Sequence, residues 1–303
     1  MVTIMQRCAM VLGHLLLSLT LHFAFTPAVA NAEGLLERGT YLVRYVAACG
    51  NCHTPKGPQG DIPGRELAGG LKIEEPGFSV ITPNITPDPE TGIGAWSNAE
   101  LMRAIRDGKH RDGRTLGPPM PFDVYRNLTD RDTEAIIAYL RSVKPVSNKI
   151  PSNTYPFPLP PAWGPPVTSV PDVPENDPIA YGAYLAGPVA HCTVCHTPMQ
   201  GNRFLYDTHL GAGGLPLHGP WGTVFSANLT PHQQFGIGAW KDGEVLRAIK
   251  TGITRNGSPL IPIMPSGYYA GMTDSDAQAI VAYLRTLKPV ASERKVRLAP
   301  PAK

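Results

Sequence analysis

The sequence predicts an all-α protein built from two tandem copies of one helical domain, joined by a proline-rich linker. Three observations predict it. The chain repeats itself: shifted by 143 residues, "CGNCHTP" from Cys49 falls on "CTVCHTP" from Cys192, and shifted by 144, everything beyond aligns. Each copy ends in a capped, amphipathic helical segment, and no stretch alternates convincingly between apolar and polar residues. Between the copies, eleven of the 35 residues from Lys144 to Pro178 are proline.

The elements follow in chain order. Residues 1–32 read as a secretory signal peptide: one basic residue, Arg7, precedes an apolar run from Ala9 to Phe25, with small-x-small sites at Ala28–Ala30 and Ala30–Ala32. Cleavage is expected after Ala30 or Ala32, and Cys8 leaves with the leader. No later segment has the ~20 consecutive apolar residues of a membrane span. The first domain, residues 33–147, opens with a helix through Leu35, Gly39, Leu42 and Val46. A middle helix starts at Ser97, where Glu100 completes a capping box, and stops at Gly108. The last helix is capped by Thr129, shows Ile136, Tyr139, Leu140 and Val143 on one face, and ends before Pro145. The linker, 148–176, favours extended polyproline conformation. Its Tyr155, Phe157, Leu159 and Trp163 raise the question of whether it packs on a domain or is solvated. The second domain, 177–291, repeats the pattern with Thr273, Asp276, Ile280, Tyr283 and Leu284, and a tail follows from 292 to 303. Pro188 stands where the first copy has Tyr45, so that first helix is expected to be shorter or kinked.

Four of the five cysteines lie in the repeated motif. In an exported chain, two Cys-x-x-Cys pairs are compatible with disulfides, a four-thiolate zinc cage or redox-active pairs. None of these needs a histidine directly after each second cysteine. Covalent haem attachment does: Cys49 and Cys52, and Cys192 and Cys195, add to the porphyrin vinyl groups, and His53 and His196 supply an imidazole to the iron. Two bound haem c groups are therefore expected. The net charge of +3 and the lack of a basic stripe with interleaved aromatics argue against a nucleic-acid partner.

The helix with Gly before each motif, the long loops and the closing helix with Tyr-Leu resemble the class I cytochrome c fold. The phrases "NITPDPETGIGAWS", "ELMRAIRDG", "PPMPF" and "LTDRDTEAIIAYLRSVKPV" are similar to the multi-haem cytochrome c subunits of bacterial membrane-associated alcohol, aldehyde and gluconate dehydrogenases. Those subunits usually carry three haem motifs, and this chain has two. Duplicated sites should use duplicated ligands. Only Met120 and Met264 are methionine in both copies; they follow His53 and His196 by 67 and 68 residues in proline-flanked loops. Met102 faces Leu246 and Met272 faces Leu128, which reads as core filler. Met120 and Met264 are the expected second iron ligands.

His/Met ligation leaves no open iron position and raises the reduction potential. The expected function is a periplasmic electron carrier, not an enzyme. It passes single electrons by outer-sphere transfer from a dehydrogenase to an oxidase or another cytochrome of the respiratory chain, with any membrane association through a partner. The alternative is a di-haem peroxidase in which one iron opens. Asn84, Trp96, Asn228 and Trp240 recur in both copies; they either donate N–H groups to haem propionates or shape loops and fill the core. Arg103 and Arg247 read as exposed helix residues.

Overall fold

Two helices per half meet at a glycine, and that contact closes each half. The computed structural model of the protein describes residues 27–293 and 295. The first half runs α1 (Pro27–Tyr41), a π-helical turn (Leu42–Val46), α2 (Gly50–His53), β1 (Lys56–Gly57), β2 (Gly60–Asp61), β3 (Lys72–Glu75), β4 (Phe78–Ile81), α3 (Asn98–Arg106), α4 (Phe122–Tyr125) and α5 (Asp130–Ser142). The order then recurs: α6 (Pro178–Tyr184), a π-helical turn (Leu185–Val189), α7 (Cys192–Cys195), β5 (Met199–Gln200), β6 (Arg203–Phe204), α8 (Tyr206–His209), β7 (Pro216–Gly219), β8 (Gly222–Phe225), α9 (Asp242–Thr251), α10 (Ser266–Tyr269) and α11 (Asp274–Thr286), with α8 as the one addition. α1 packs on α5 and α6 on α11. A Cβ on Gly39 would sit 1.8 Å from the Ala135 carbonyl oxygen, and one on Gly182 would sit 1.9 Å from that of Ala279. Only hydrogen at these positions lets the helix axes approach so closely.

The expected caps form. Ser97 Oγ accepts from Glu100 N (3.2 Å) while Glu100 Oε2 accepts from Ser97 N (2.7 Å). Thr129 Oγ1 accepts from Asp132 N (3.1 Å), and Thr273 Oγ1 from Asp276 N (3.2 Å). Two expectations need correction. The fold is mostly helical but not all-α: four two-stranded antiparallel hairpins lie in the loops. They escape a periodicity reading because each strand has only two to four residues and most face solvent on both sides. The first helix of the second half is shorter as expected, seven residues against fifteen, but Pro188 does not set this: both helices run into the same π-helical turn, over Leu42–Val46 without a proline and over Leu185–Val189 with one. Of the expected leader, residues 1–32, the first 26 lie outside the described residues, and α1 begins at Pro27.

One apolar cluster spans both halves, joining Leu42, Val46, Tyr125, Leu128 and Ile136 with Leu185, Val189, Tyr269, Met272 and Ile280. The contacts between the halves are reciprocal. Tyr41 Oη donates to Asp276 Oδ2 (2.7 Å) and accepts from Thr273 N (3.1 Å). Tyr184, at the matching place, donates to Asp132 Oδ2 (2.7 Å) and accepts from Thr129 N (3.3 Å). β3 touches its own counterpart β7, and the two π-helical turns touch each other. Such self-complementary pairing is the pattern of an approximate two-fold relation.

The linker packs on the first half. Asn153 pairs with Ile81 through both its amide nitrogen (2.9 Å) and its amide oxygen (2.8 Å). Tyr155 Oη donates to the Pro118 carbonyl (2.7 Å), and Trp163 Nε1 donates to that of Leu116 (2.8 Å) while its ring stacks on Phe122. Further on, Val167 N donates to Asp107 Oδ1 (2.9 Å), and Ser169 Oγ donates to Asp130 Oδ2 (2.6 Å).

Candidate metal centres

Each Cys-x-x-Cys-His motif is delivered by the same backbone device. The π-helical turn ends, one residue takes a left-handed conformation, and a single helical turn carries the thiols. That residue is Ala48 (φ 49°) in the first half and His191 (φ 44°) in the second. Cys49 caps α2, which contains Cys52, and Cys192 and Cys195 bound α7. All four are free, partly exposed thiols. Their surroundings are apolar enough to oppose ionisation: burial pushes Cys49 and Cys192 up to about 12 and Cys195 to about 11, and raises Cys52 as well.

The histidines are held identically. His53 Nδ1 lies 2.9 Å from the Pro83 carbonyl oxygen, and His196 Nδ1 lies 2.8 Å from that of Ala227. A carbonyl can only accept, so Nδ1 carries the proton and Nε2 keeps its lone pair. Burial lowers both imidazoles below the usual histidine value, so they stay neutral at pH 7. A second bond fixes the same segment: Gly69 N donates to the His53 carbonyl (2.7 Å), and Gly213 N to that of His196 (2.8 Å). Both glycines have φ of +70°, and a Cβ on either would lie 2.5 Å from the strand carrying the acceptor. Glycine therefore lets the acceptor carbonyl reach the histidine.

Met120 and Met264 are partly buried against the same apolar cluster as Cys49 and Cys192. Each precedes a one-turn helix, α4 or α10, whose last residue is a buried tyrosine. Paired thiols on one turn, a neutral imidazole with Nε2 free and a thioether in each half make a donor set that suits a covalently held haem iron. Among the described residues, no three His, Cys, Asp or Glu side chains converge as a metal-ion cage, which leaves the zinc reading unsupported.

Asn84 and Asn228 shape loops. Asn84 Nδ2 donates to the Val146 carbonyl (2.8 Å) and its Oδ1 accepts from Thr86 N (3.0 Å) and Oγ1 (2.7 Å). Asn228 does the same with Val290 and Thr230. Trp96 meets His110 edge-on and Trp240 lies beside the Arg255 guanidinium. Arg103 and Arg247 are exposed, as expected. Two matched pairs were missed. Arg141 donates to the carbonyls of Ile93 (3.0 Å) and Trp96, and Arg285 to those of Ile237 (2.6 Å) and Trp240 (2.6 Å), tying each Gly-Ile-Gly-Ala-Trp loop to the last helix. Tyr125 and Tyr269 are buried beside the thiols. The signal was recurrence at the 144-residue offset, which both pairs show.

Comparison with known proteins bears on the same residues. The cytochrome c family model matches residues 37–144, which include the first motif and Met120. The fructose dehydrogenase cytochrome subunit of Gluconobacter japonicus is 35% identical over 86% of this chain and 54% of its own. The gluconate 2-dehydrogenase cytochrome c subunit of Pantoea cypripedii is 31% identical over 92% of this chain and 64% of its own. Residues 37–144 thus match the cytochrome c family, and relatives named as cytochrome c subunits extend the likeness over most of the chain. A di-haem c-type cytochrome of Cereibacter sphaeroides, 26% identical, is matched over 86% of this chain and 88% of its own length. The chain spans from 22% to 64% of the length of the dehydrogenase proteins it matches. Among its described residues, no helix is long and apolar enough to cross a membrane.

Proposed function

We propose that this protein is a periplasmic di-haem electron carrier made of two tandem cytochrome c domains. Cys49 and Cys52 hold one haem, with His53 and Met120 on its iron; Cys192 and Cys195 hold the other, with His196 and Met264. When bound, each haem supplies a one-electron ferric/ferrous couple. The protein's own part is to present Nε2 of a neutral imidazole, keep the pocket apolar and hold both sites in fixed relation. The observation that carries the reading is the matched pair of histidine Nδ1–carbonyl bonds, which orient both imidazoles alike. The reciprocal contacts favour a relay: α10, just after Met264, packs on the turn leading into the first motif, and α4, just after Met120, packs on the turn leading into the second. The dehydrogenase subunits among its relatives point to a dehydrogenase as donor, with an oxidase or another cytochrome as acceptor.

Mass spectrometry of exported protein is expected to find two thioether-linked haems. Near-infrared spectra of the ferric form are expected to show the sulfur-to-iron band of methionine ligation, reduced by half in Met120→Leu or Met264→Leu. One haem only, or no such band, overturns the assignment. Rapid turnover of peroxide would favour the peroxidase.

A further inference from the structure

The two methionine loops are not held alike. In the first half, the linker lies across the loop that carries Met120. Tyr155 Oη donates to the Pro118 carbonyl and Trp163 Nε1 to that of Leu116, two and four residues before Met120. Gly117 makes room for the strap: a Cβ there would sit 2.3 Å from the Tyr155 ring. Gly108 does the same for Trp163, at 2.6 Å. The strap is itself tied down. Arg126 Nη1 donates to the Trp163 carbonyl (2.9 Å), Thr115 Oγ1 donates to that of Pro161 (3.1 Å), and Lys109 Nζ reaches the same oxygen.

The second half has lost this seat. At the 144-residue offset, Lys109 becomes Ile253, Thr115 becomes Pro259 and Arg126 becomes Ala270. Gly117 becomes Ile261, whose side chain would occupy the space that Tyr155 takes. Phe122, stacked on Trp163, becomes Ser266, whose buried hydroxyl has no hydrogen-bond partner among the described residues. The Met264 loop therefore lacks both the polar anchors and the stacking face. A buried hydroxyl left without a partner is a local weakness next to Met264.

We propose that the linker is a strap that makes Met120 the inert iron ligand and leaves Met264 the exchangeable one, so that the second half accepts small neutral donor ligands such as imidazole at its iron. The inference rests on the His/Met assignment above. Local opening must precede ligand exchange, and loops with fewer buried contacts and hydrogen bonds open more readily. Exchange breaks the Met264 sulfur–iron bond and forms one nitrogen–iron bond, with no change of oxidation state.

The test is an imidazole titration of the ferric, full-length di-haem protein, followed by the near-infrared sulfur-to-iron band. Half of the band is expected to vanish first, and the other half at a concentration at least about tenfold higher, the scale of two lost hydrogen bonds. Met264→Leu should retain only the resistant half. Tyr155→Phe with Trp163→Phe keeps an aromatic ring at both positions but removes both donors, and should bring the two halves together. Loss of the whole band at one concentration in the wild type, or a double variant that still titrates in two widely spaced steps, overturns the proposal. Absence of the band before any imidazole is added overturns the ligand assignment itself, and the proposal with it.

Discussion

Gly39 and Gly182 show how far one residue can decide a local structure. Each sits where a carbonyl of the last helix occupies the space a methyl group would need. Gly39→Ala or Gly182→Ala should therefore force α1 from α5, or α6 from α11, at a cost of about 1–3 kcal/mol or more. Urea unfolding of the holoprotein would show the loss as a lower midpoint at unchanged slope. Gly243→Ala, at a glycine whose Cβ would meet nothing within 4 Å, provides the control. The motif residues were legible at this scale because their spacing is itself the chemistry. The tautomer of His53 and His196 was not, since the acceptor carbonyls of Pro83 and Ala227 lie about 30 residues away, brought in by folding.

Among the elements, α5 and α11 read almost identically in sequence yet carry unequal loads. Asp132 on α5 takes a bidentate pair from Arg38 (2.8 Å to each oxygen) as well as the Tyr184 hydroxyl, and its side chain is only 5% exposed. Asp276 on α11 takes the Tyr41 hydroxyl, and the place of Arg38 is held by Tyr181 in the second half. Asp132→Asn should leave the Arg38 charge poorly paired and cost about 3–5 kcal/mol. Asp276→Asn keeps an acceptor for Tyr41 and should cost about 1 kcal/mol. Thermal unfolding of the two variants is expected to rank them in that order; equal shifts would mean the ion pair contributes nothing beyond its tyrosine. Helix caps and stripes were visible in sequence because they are local. The hairpins and the π-helical turns were not, since strands of two to four residues carry too little pattern and the turns occur with and without proline.

Across the whole molecule, His191 ties the halves together at the second motif. Its ring meets that of Tyr125, from the first half, edge-on. Burial lowers the imidazole from 6.5 to about 4. Between those values the unfolded chain takes up a proton that the folded one refuses. The stabilisation is thus complete above pH 6.5 and is lost as pH falls toward 4. Denaturant midpoints of the holoprotein should drop across that window, and His191→Asn, which tolerates the left-handed backbone, should flatten the drop. An identical pH profile in the variant would show that other groups cause it.

By itself, the amino-acid order determined the repeat, the motif chemistry, the caps and the proline-rich character of the linker, because each depends on residues close in the chain or matched at one offset. Tertiary structure alone decided that the halves meet reciprocally through Tyr41 and Tyr184, and that the linker is anchored by hydrogen bonds to the first half. Those outcomes depend on surfaces assembled from distant segments. Whether Trp163 finds a stacking face and two anchored carbonyls is settled only after Leu116, Phe122 and Arg126 have been brought together.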